Sequence, residues 1–196
     1  MPETGVDPIN IAAHIYLSLQ EIISREISAT KAAVLTIGKF AGGDAPNIIP
    51  GEVIMEGTIR SLDKEVGEFI FNRVKDIVES TAKMFRGEAE LIELSSVPPL
   101  ANDTDLAKEL SSYVKELVGE RAVCLFEGGG MGSEDFASYS YEVPSVYFML
   151  GAGTKQENPS YGEPMHNEKV VFNEDILVTG AAMHTYCAIS WLKNNK

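Results

Sequence analysis

The sequence predicts an α/β protein in two parts, a ferredoxin-like domain that lacks its first strand and a second, incomplete α/β layer. Two observations predict this class. Residues 8–94 show the order helix, strand, strand, helix, strand, which is the βαββαβ ferredoxin-like unit without its first strand. The consecutive prolines Pro98 and Pro99 then end regular pairing, and a new order of helix, strand, strand, helix begins. We therefore place the domain boundary between residues 1–97 and 98–196.

Capping residues and apolar periodicity predict the elements of the first part in order. Asp7 followed by Pro8 begins a helix that runs to about Ile27. It is followed by a strand over 32–40, a strand from 53 to 60, a helix from Asp63 to near Gly87 and a strand over 88–94. The Gly/Pro-rich connection over 41–51 is longer than a hairpin needs, and long ordered loops are often functional.

The second part is predicted in the same way. Asp103 caps a helix through Val118 that Gly119 closes. Short strands follow over 122–126 and over 145–150, the second continuously apolar and therefore expected to be covered on both faces. A loop over 151–171 carries His166, and a final helix over 174–193 is expected to bury one stripe: Leu177, Ala181, His184, Ala188 and Trp191.

Charge and hydropathy exclude several classes of partner. The 196 residues include 16 Lys and Arg against 29 Asp and Glu, a formal net charge of −13. This excess of negative charge argues against binding of nucleic acid or of an anionic membrane. The longest apolar run falls far short of the roughly 20 residues that span a bilayer, and the first residues lack the basic and apolar regions of a secretory signal. We expect no membrane partner and a cytoplasmic location.

Cysteine and histidine are scarce. The chain has two cysteines, Cys124 and Cys187, which in a cytosolic protein are expected to be reduced and buried. It has three histidines, His14, His166 and His184, which do not cluster in sequence. A self-contained metal centre therefore has few ligands available.

Four features could carry chemistry, and the residues alone leave each one open. The segment 132–136 contains two adjacent acids that could act as base or metal ligands, or that could cap the short helix after them. His166 lies in an irregular loop after an apolar strand, and it could be either a ligand at a functional site or an ordinary surface residue. Arg60 could clamp a carboxylate and Asn47 could donate to an oxyanion, or both could be solvated.

Eight segments in order resemble one known family, the metal-dependent amidohydrolase branch of the aminoacylase and carboxypeptidase family. That branch includes hippurate hydrolase and auxin-conjugate hydrolases. The matching segments cover essentially the whole chain: Gly5-Val-Asp-Pro-Ile9, Ala12-Ala13, Ser24-Arg25, Gly42-Gly43 with Ala45-Pro-Asn-Ile-Ile-Pro50, Glu56-Gly-Thr-Ile-Arg60, Gly132-Ser-Glu-Asp-Phe136, Phe148-Met-Leu-Gly151, and His166 followed by Phe172-Asn-Glu-Asp175.

The resemblance implies a function and an architecture. Residues 1–97 correspond to a lid and dimerisation domain, and residues 98–196 to the C-terminal portion of a zinc-peptidase-like catalytic domain. Such enzymes hydrolyse N-acyl amino acids with two divalent metal ions, zinc, manganese, cobalt or nickel, which polarise the carbonyl and activate a water while a Glu acts as base. By the same resemblance His166 is the last metal ligand, and Asn47 and Arg60 reach the substrate, with Arg60 suited to its free carboxylate.

The sequence also departs from this family. Four family features are absent from it: a Cys-Gly-His-Asp-Gly-His stretch, a Glu-Glu pair that holds the general base, a later ligand histidine and a Gly-Gly-His in the lid's first strand. We therefore expect no catalytic base within these residues, no tightly bound metal and no activity of this chain alone.

Three hypotheses follow. The chain is the C-terminal half of an amidohydrolase, or a non-catalytic dimerisation and binding module derived from one, or a structural fragment. The retained Asn47, Arg60 and His166 favour the first.

Overall fold

The computed structural model describes residues 1–124 and 130–195, which form two compact units. Among the described residues, unit 1 comprises 1–100 together with 130–137. Unit 2 comprises 101–124 together with 138–195. No helix in the described part of the chain is long and apolar enough to cross a membrane.

Unit 1 contains two helices and a pair of strands. Its elements are a 3-10 turn Pro2–Thr4, α1 Pro8–Glu21 with a π turn Ile22–Glu26, β1 Ala33–Ala41, β2 Ile54–Ser61 and α2 Lys64–Met84. The predicted caps of both helices are confirmed. The Asp7 carboxylate accepts from the backbone N–H of Ile9 at 2.9 Å, and that of Asp63 accepts from Glu65 at 3.0 Å.

The two strands pair antiparallel, from Ala33 opposite Ser61 to Ala41 opposite Ile54. A bulge between Ile37 and Lys39 shifts the register. The strands approach closely at Gly57, where a Cβ would lie 2.4 Å from the carbonyl oxygen of Thr36. Glycine at this position is therefore required by the tight contact between the strands.

The core of unit 1 lies between the two helices and one face of the sheet. Leu19, Ile22 and Ile70 are buried to 1% exposure or less. Met55 and Ile59 of β2 pack against the same core, as the predicted alternation of that strand requires.

The strand predicted over 88–94 does not form a paired strand. Its residues belong to no sheet, although Ala89 and Leu91 pack against the core of unit 1. In the ferredoxin-like order the last strand pairs with the first. No strand precedes α1 in the described residues, so the backbone groups of this segment have no ladder to join.

Unit 2 is built mainly on two long helices, α3 Thr104–Val118 and α5 Ile176–Asn194, with a 3-10 turn Glu120–Ala122 after α3. A short helix, α4 Ala137–Ser140, spans the junction of the two units in sequence. Asp103 caps α3 by accepting from Leu106 N–H at 2.8 Å, and Gly119 ends it with φ of +90°. The core of this unit consists of four residues from the two long helices: Tyr113, Val114, Met183 and Cys187.

Two predictions in unit 2 are wrong. Segment 145–150 does not form a strand and is not covered on both faces, since Phe148 and Leu150 pack against the helices while Met149 is 78% exposed. The final helix buries Met183 and Cys187 instead of the predicted stripe, leaving Leu177 69% exposed. Because α5 is apolar around most of its circumference, periodicity could not identify its buried face.

Two further expectations concern the strand predicted over 122–126 and the two cysteines. The strand predicted over 122–126 lies partly outside the described residues, and Ala122 belongs to a 3-10 turn. Both cysteines are free, but only Cys187 is buried; Cys124 is exposed, contrary to expectation.

Candidate functional site

Arg60 is placed by β2, where it lies opposite Val34 on the sheet. Its side chain is exposed, as the alternation of this strand predicts. The Nη1 group donates a hydrogen bond to the backbone carbonyl of Met131. This contact joins β2 to the segment 130–137. Met131 lies 71 positions after Arg60 in sequence, but the segment belongs to the same unit.

The segment 132–136 leads into α4 and holds its acids in two environments. Glu134 is half-buried and its carboxylate accepts from Phe136 N–H at 3.3 Å, while its carbonyl accepts from Ala137 N–H at 3.1 Å. Asp135 is exposed. Both hydrogen bonds belong to the turn that precedes α4, which begins at Ala137.

Asn47 lies in the connection between β1 and β2, which has no regular structure, and its side chain is exposed. The same connection lines an open groove of about 840 Å³. The groove is apolar at Ile48, Ile49 and Pro50 and acidic at Asp44 and Glu52. Gly42, near the start of this connection, is tightly packed, since a Cβ there would lie 2.6 Å from Val53 Cγ2.

His166 lies in unit 2, in a loop closed at its base by the 2.9 Å hydrogen bond from Asn173 N–H to the carbonyl of Ala152. Its side chain is exposed and its backbone is left-handed, with φ of +64°. Only one other non-glycine residue of the described chain, Arg86, shares this conformation. A left-handed non-glycine residue is often held at a functional site by its surroundings. Here Asn167 follows immediately and its Oδ1 accepts from Lys169 N–H at 2.9 Å.

The described residues do not fit a dinuclear metal centre by themselves. Nowhere among residues 1–124 and 130–195 do three His, Cys, Asp or Glu side chains converge as a ligand set. His166 offers one imidazole, whereas a two-metal centre needs several protein ligands. We therefore derive no chemical step through metal ions from these residues.

The groups with shifted pKa values lie in the scaffold. In unit 1, hydrogen bonds from Lys31 and Arg73 lower the pKa values of Asp63 and Glu26 respectively. In unit 2, the phenols of Tyr113 and Tyr186 donate to Glu109 at 2.6 Å and Glu116 at 2.9 Å, and these carboxylates raise both tyrosine pKa values. Burial raises the pKa of the Cys187 thiol.

Known proteins match along almost the whole chain. Residues 1–85 match the family described as the M20 peptidase dimerisation domain. An uncharacterized hydrolase, y4tI, of Sinorhizobium fredii is 36% identical over 90% of this chain and 43% of its own length. An IAA-amino acid hydrolase of Arabidopsis thaliana, ILR1-like 2, and the hippurate hydrolase of Campylobacter jejuni are each 32% identical over 98% of this chain. The match covers 44% of the Arabidopsis protein and 48% of the Campylobacter protein, so the chain spans about half the length of these relatives.

Solved structures agree with the sequence matches. A protein of methicillin-resistant Staphylococcus aureus, assigned as an aminohydrolase, superposes with a TM-score of 0.84 at 27% identity, over 97% of this chain and 48% of that one. The chain resembles the C-terminal half of the M20 amidohydrolases. The Bacillus subtilis protein YXEP, described as a dinuclear metal-binding peptidase of the M20 family, shares the fold with a TM-score of 0.73 at 24% identity, over 96% of this chain and 47% of that one.

The M20 comparisons confirm the family resemblance and the predicted α/β class, with which the helices and the small antiparallel sheet of unit 1 agree. They do not test the roles of Asn47, Arg60 and His166, which stay predictions. The structure places the first two in unit 1 and the third in unit 2. Sequence reasoning missed the bond from Arg60 to Met131, because no local pattern reports a contact between such distant positions.

Proposed function

We propose that the polypeptide to which this sequence contributes is a metal-dependent amidohydrolase that cleaves the amide bond of N-acyl amino acids of the hippurate type. The observation that carries this proposal is the extent of the similarity. Two hydrolases of amino-acid conjugates are each 32% identical over 98% of the chain, so the likeness includes both units.

Arg60 is the proposed anchor for the free carboxylate of the substrate. A guanidinium has five N–H donors in a planar fork that matches a carboxylate, and the Met131 carbonyl accepts from Nη1. The exposed side chain can therefore still offer a second pair of donors. Asn47, exposed in the β1–β2 connection, is proposed to donate its amide to the acyl oxygen.

His166 is the proposed metal ligand, and it cannot act alone. The described residues provide no converging ligand set beside it. We propose that the remaining ligands and the general base come from polypeptide outside these 196 residues, and that this chain alone does not hydrolyse the substrate.

An assay of the purified chain, alone and complemented, tests these assignments. With zinc, manganese, cobalt or nickel present, amine release from hippurate and N-acetyl amino acids is expected to be absent. Adding the part of Campylobacter jejuni hippurate hydrolase that precedes the matched region should restore turnover.

In that mixture Arg60→Ala should raise KM about 10- to 100-fold, as expected for loss of charge-assisted hydrogen bonds. His166→Ala should abolish turnover, and the exposed Arg25→Ala should change neither parameter. Turnover by the isolated chain with two bound metals per molecule would contradict the proposal that most metal ligands lie outside these 196 residues.

A second candidate is dimerisation without catalysis, which the family match over residues 1–85 favours. We propose a homodimer through unit 1, formed by the outer edge of β1 and the adjoining face of α1. Tyr16 and Leu17 of α1 are 41% and 64% exposed, and the Tyr16 ring contacts Phe40 of β1 edge-on at 6.5 Å between centroids. An exposed edge strand beside exposed aromatic side chains suits a symmetric partner.

Sedimentation of the purified chain tests this surface. The expected mass is twice that of the 21.3 kDa monomer. Leu17→Lys should shift the protein to monomer, whereas Leu192→Lys, an equally exposed leucine of unit 2, should leave the dimer intact. A monomeric wild-type chain at high protein concentration would contradict this candidate.

A further inference from the structure

A small cavity lies in unit 1 between the start of α1, the end of α2 and the connection from β1 to β2. Its volume is about 180 Å³. Sites for drug-sized ligands have volumes of about 300–1,000 Å³, so this cavity has room only for a small metabolite. Residues 5–7, 10 and 11 line it at the start of α1, residues 85 and 86 line it at the end of α2, and Ile49 lines it from the connection.

The two helices that line this cavity are held close together beside it. A Cβ on Gly87, directly after Arg86, would lie 2.4 Å from Ile11 Cδ1, so the chain that leaves α2 is tightly packed against α1. Arg86 itself has a left-handed backbone with φ of +66°, and its Nη2 donates to the carbonyl of Gly5 at 3.5 Å. The walls of the cavity are therefore fixed by contacts within unit 1.

Three polar side chains that line the cavity can still form hydrogen bonds. Oδ1 of Asp7 accepts from the N–H groups of Ile9 at 2.9 Å and Asn10 at 3.2 Å, whereas Oδ2 accepts no hydrogen bond within the described residues. Arg86 uses one of its five N–H donors, on the carbonyl of Gly5. The amide of Asn10 has no hydrogen-bond partner in the described part of the chain. Since Asp7 already binds N–H groups of the first turn of α1, the site does not depend on free donors of that helix.

The two charged side chains of the lining have opposite signs and no ion-pair partner. Asp7 and Arg86 take part in none of the ion pairs formed by the described residues. The other lining side chains are neutral, and Ile11, Ile49 and Phe85 provide apolar surface. A ligand complementary to this lining carries one negative and one positive charge on a small body that is otherwise apolar.

We propose that this cavity binds a free α-amino acid with a small apolar side chain, such as L-alanine. The planar fork of the Arg86 guanidinium holds the carboxylate, and Oδ2 of Asp7 accepts from the ammonium group. The amide of Asn10 supplies a further donor or acceptor between them. Acylation of the amino group removes its positive charge and adds bulk, so N-acyl amino acids are excluded from the cavity.

The cavity is distinct from the residues proposed for hydrolysis, since its lining includes none of Asn47, Arg60 and His166. The free amino acid is the product that the proposed reaction releases, so the cavity would bind product and not substrate. This link to the reaction rests on the proposed function. Binding itself requires neither metal nor turnover, so a failure of this inference and a failure of the hydrolase proposal are distinguishable.

Isothermal titration calorimetry of the intact chain with L-alanine tests the proposal. Binding is expected to be saturable with a Kd of about 1 mM or tighter, an affinity that a ligand of roughly six non-hydrogen atoms can reach. N-acetyl-L-alanine lacks the ammonium group and L-alaninamide lacks the carboxylate. Each should bind at least about tenfold more weakly than L-alanine, because each loses one charge-assisted contact.

Two substitutions each remove one charge from the cavity and are compatible with the local backbone. Asp7→Asn keeps a side-chain acceptor at the start of α1, and asparagine in Arg86→Asn tolerates the left-handed conformation. Each variant should weaken L-alanine binding at least about tenfold. Lys83→Ala removes another exposed cation near the end of α2 and should leave the Kd unchanged. Arg60→Ala should also leave it unchanged, because Arg60 does not line this cavity.

Hydrogen exchange locates the binding site without any change to the protein. L-alanine should slow amide exchange in residues 5–11 and 85–87. Slower exchange confined to residues 58–61 and 130–137, around Arg60, would assign the ligand to the proposed substrate anchor and overturn the inference. The absence of saturable binding, or equal binding of L-alanine and N-acetyl-L-alanine, would also overturn it.

Discussion

Unit 1 and unit 2 hold their helices together by different means. In unit 1 two helices pack on paired strands, and Leu19, Ile22 and Ile70 lose essentially all contact with solvent. In unit 2 the four core residues of α3 and α5 stay 6–9% exposed. Side-chain hydrogen bonds add to that smaller core, among them Tyr186 to Glu116 and Asn194 to Tyr113, each 2.9 Å long. Unit 1 has the larger buried apolar cluster, so apolar burial contributes more to its stability than to that of unit 2.

The exposed surface of α5 extends this comparison. Leu177, Val178 and Leu192 are 69%, 76% and 62% exposed, although they belong to a helix that is apolar around most of its circumference. Helices of this composition normally lie in a protein interior. Unit 1 leaves strand edges open, whereas unit 2 leaves a helix surface open.

The largest expected effect separates the two cores. Ile70→Ala removes a fully buried side chain from unit 1 and should cost about 2–5 kcal/mol of unfolding free energy. Met183→Ala in unit 2 should cost less, because Met183 is 7% exposed and belongs to a buried cluster of only four residues. Circular dichroism follows both units during urea unfolding, and the fluorescence of Trp191, the sole tryptophan, follows unit 2. If both variants lost the same unfolding free energy, the two cores would not differ in their contribution to stability.

A smaller effect should appear in the strand pair that unit 2 lacks. Gly57→Ala places a methyl group 2.4 Å from the Thr36 carbonyl oxygen and should cost about 1–3 kcal/mol through overpacking. Gly38→Ala, at the bulge with no atom within 4 Å, is the matched control and should be nearly neutral. Thermal unfolding of both variants measures the difference, and a stable Gly57→Ala protein would show that the ladder can open without cost.

The cap of α3 tests how much one polar contact contributes to unit 2. Asp103→Ala removes the acceptor for Leu106 N–H and should cost about 1 kcal/mol. Asp103→Asn keeps a side-chain acceptor and should cost less. If both variants unfold at the same urea concentration as the wild type in Trp191 fluorescence, the cap contributes nothing to this unit.

The smallest expected effects are pH-dependent: two carboxylates of unit 1 contribute an acid limb, and two tyrosines and a cysteine of unit 2 contribute an alkaline limb. In unit 1 the folded-state pKa values of Asp63 and Glu26 lie below their unfolded values. Their contribution is therefore complete above the unfolded pKa of about 4 and is lost as the pH falls below it. In unit 2 the folded-state pKa values of Tyr113, Tyr186 and Cys187 are raised. Their contribution is complete below the unfolded values, about 10 for tyrosine and 8.5 for cysteine, and is lost as the pH rises.

Two variants test separately the acid and the alkaline limb of the curve of stability against pH. Lys31→Gln removes the partner of Asp63 and should flatten the acid limb of stability followed by circular dichroism. Tyr186→Phe should flatten the alkaline limb followed by Trp191 fluorescence. An acid limb unchanged by Lys31→Gln, or an alkaline limb unchanged by Tyr186→Phe, would contradict these assignments.

Local signals predicted the fold of unit 1 well. The aspartate caps at Asp7 and Asp63 and the alternation in β2 were all confirmed, because each depends on groups within a few positions of one another. The paired strand predicted at 88–94 was not, because a strand needs a partner and its alternating side chains do not supply one.

The candidate site was less accessible to sequence reasoning. The exposure of Arg60 followed from its place in an alternating strand, but its contact with Met131 depends on how the chain returns after a long excursion. The left-handed backbone of His166 also carried no sequence signal, since neither glycine nor proline marks that position. The roles of Asn47, Arg60 and His166 stay predictions drawn from the resemblance.

The sequence by itself determined the family resemblance, the helix starts and the faces of β2, because motif order, capping and periodicity are local properties of the chain. Only the tertiary structure decided which face of α5 is buried and which predicted strands are paired. Those outcomes depend on what lies beside each element: α5 buries the side that meets α3, and the segments 88–94 and 145–150 belong to no sheet, since β1 and β2 are the only paired strands in the described residues.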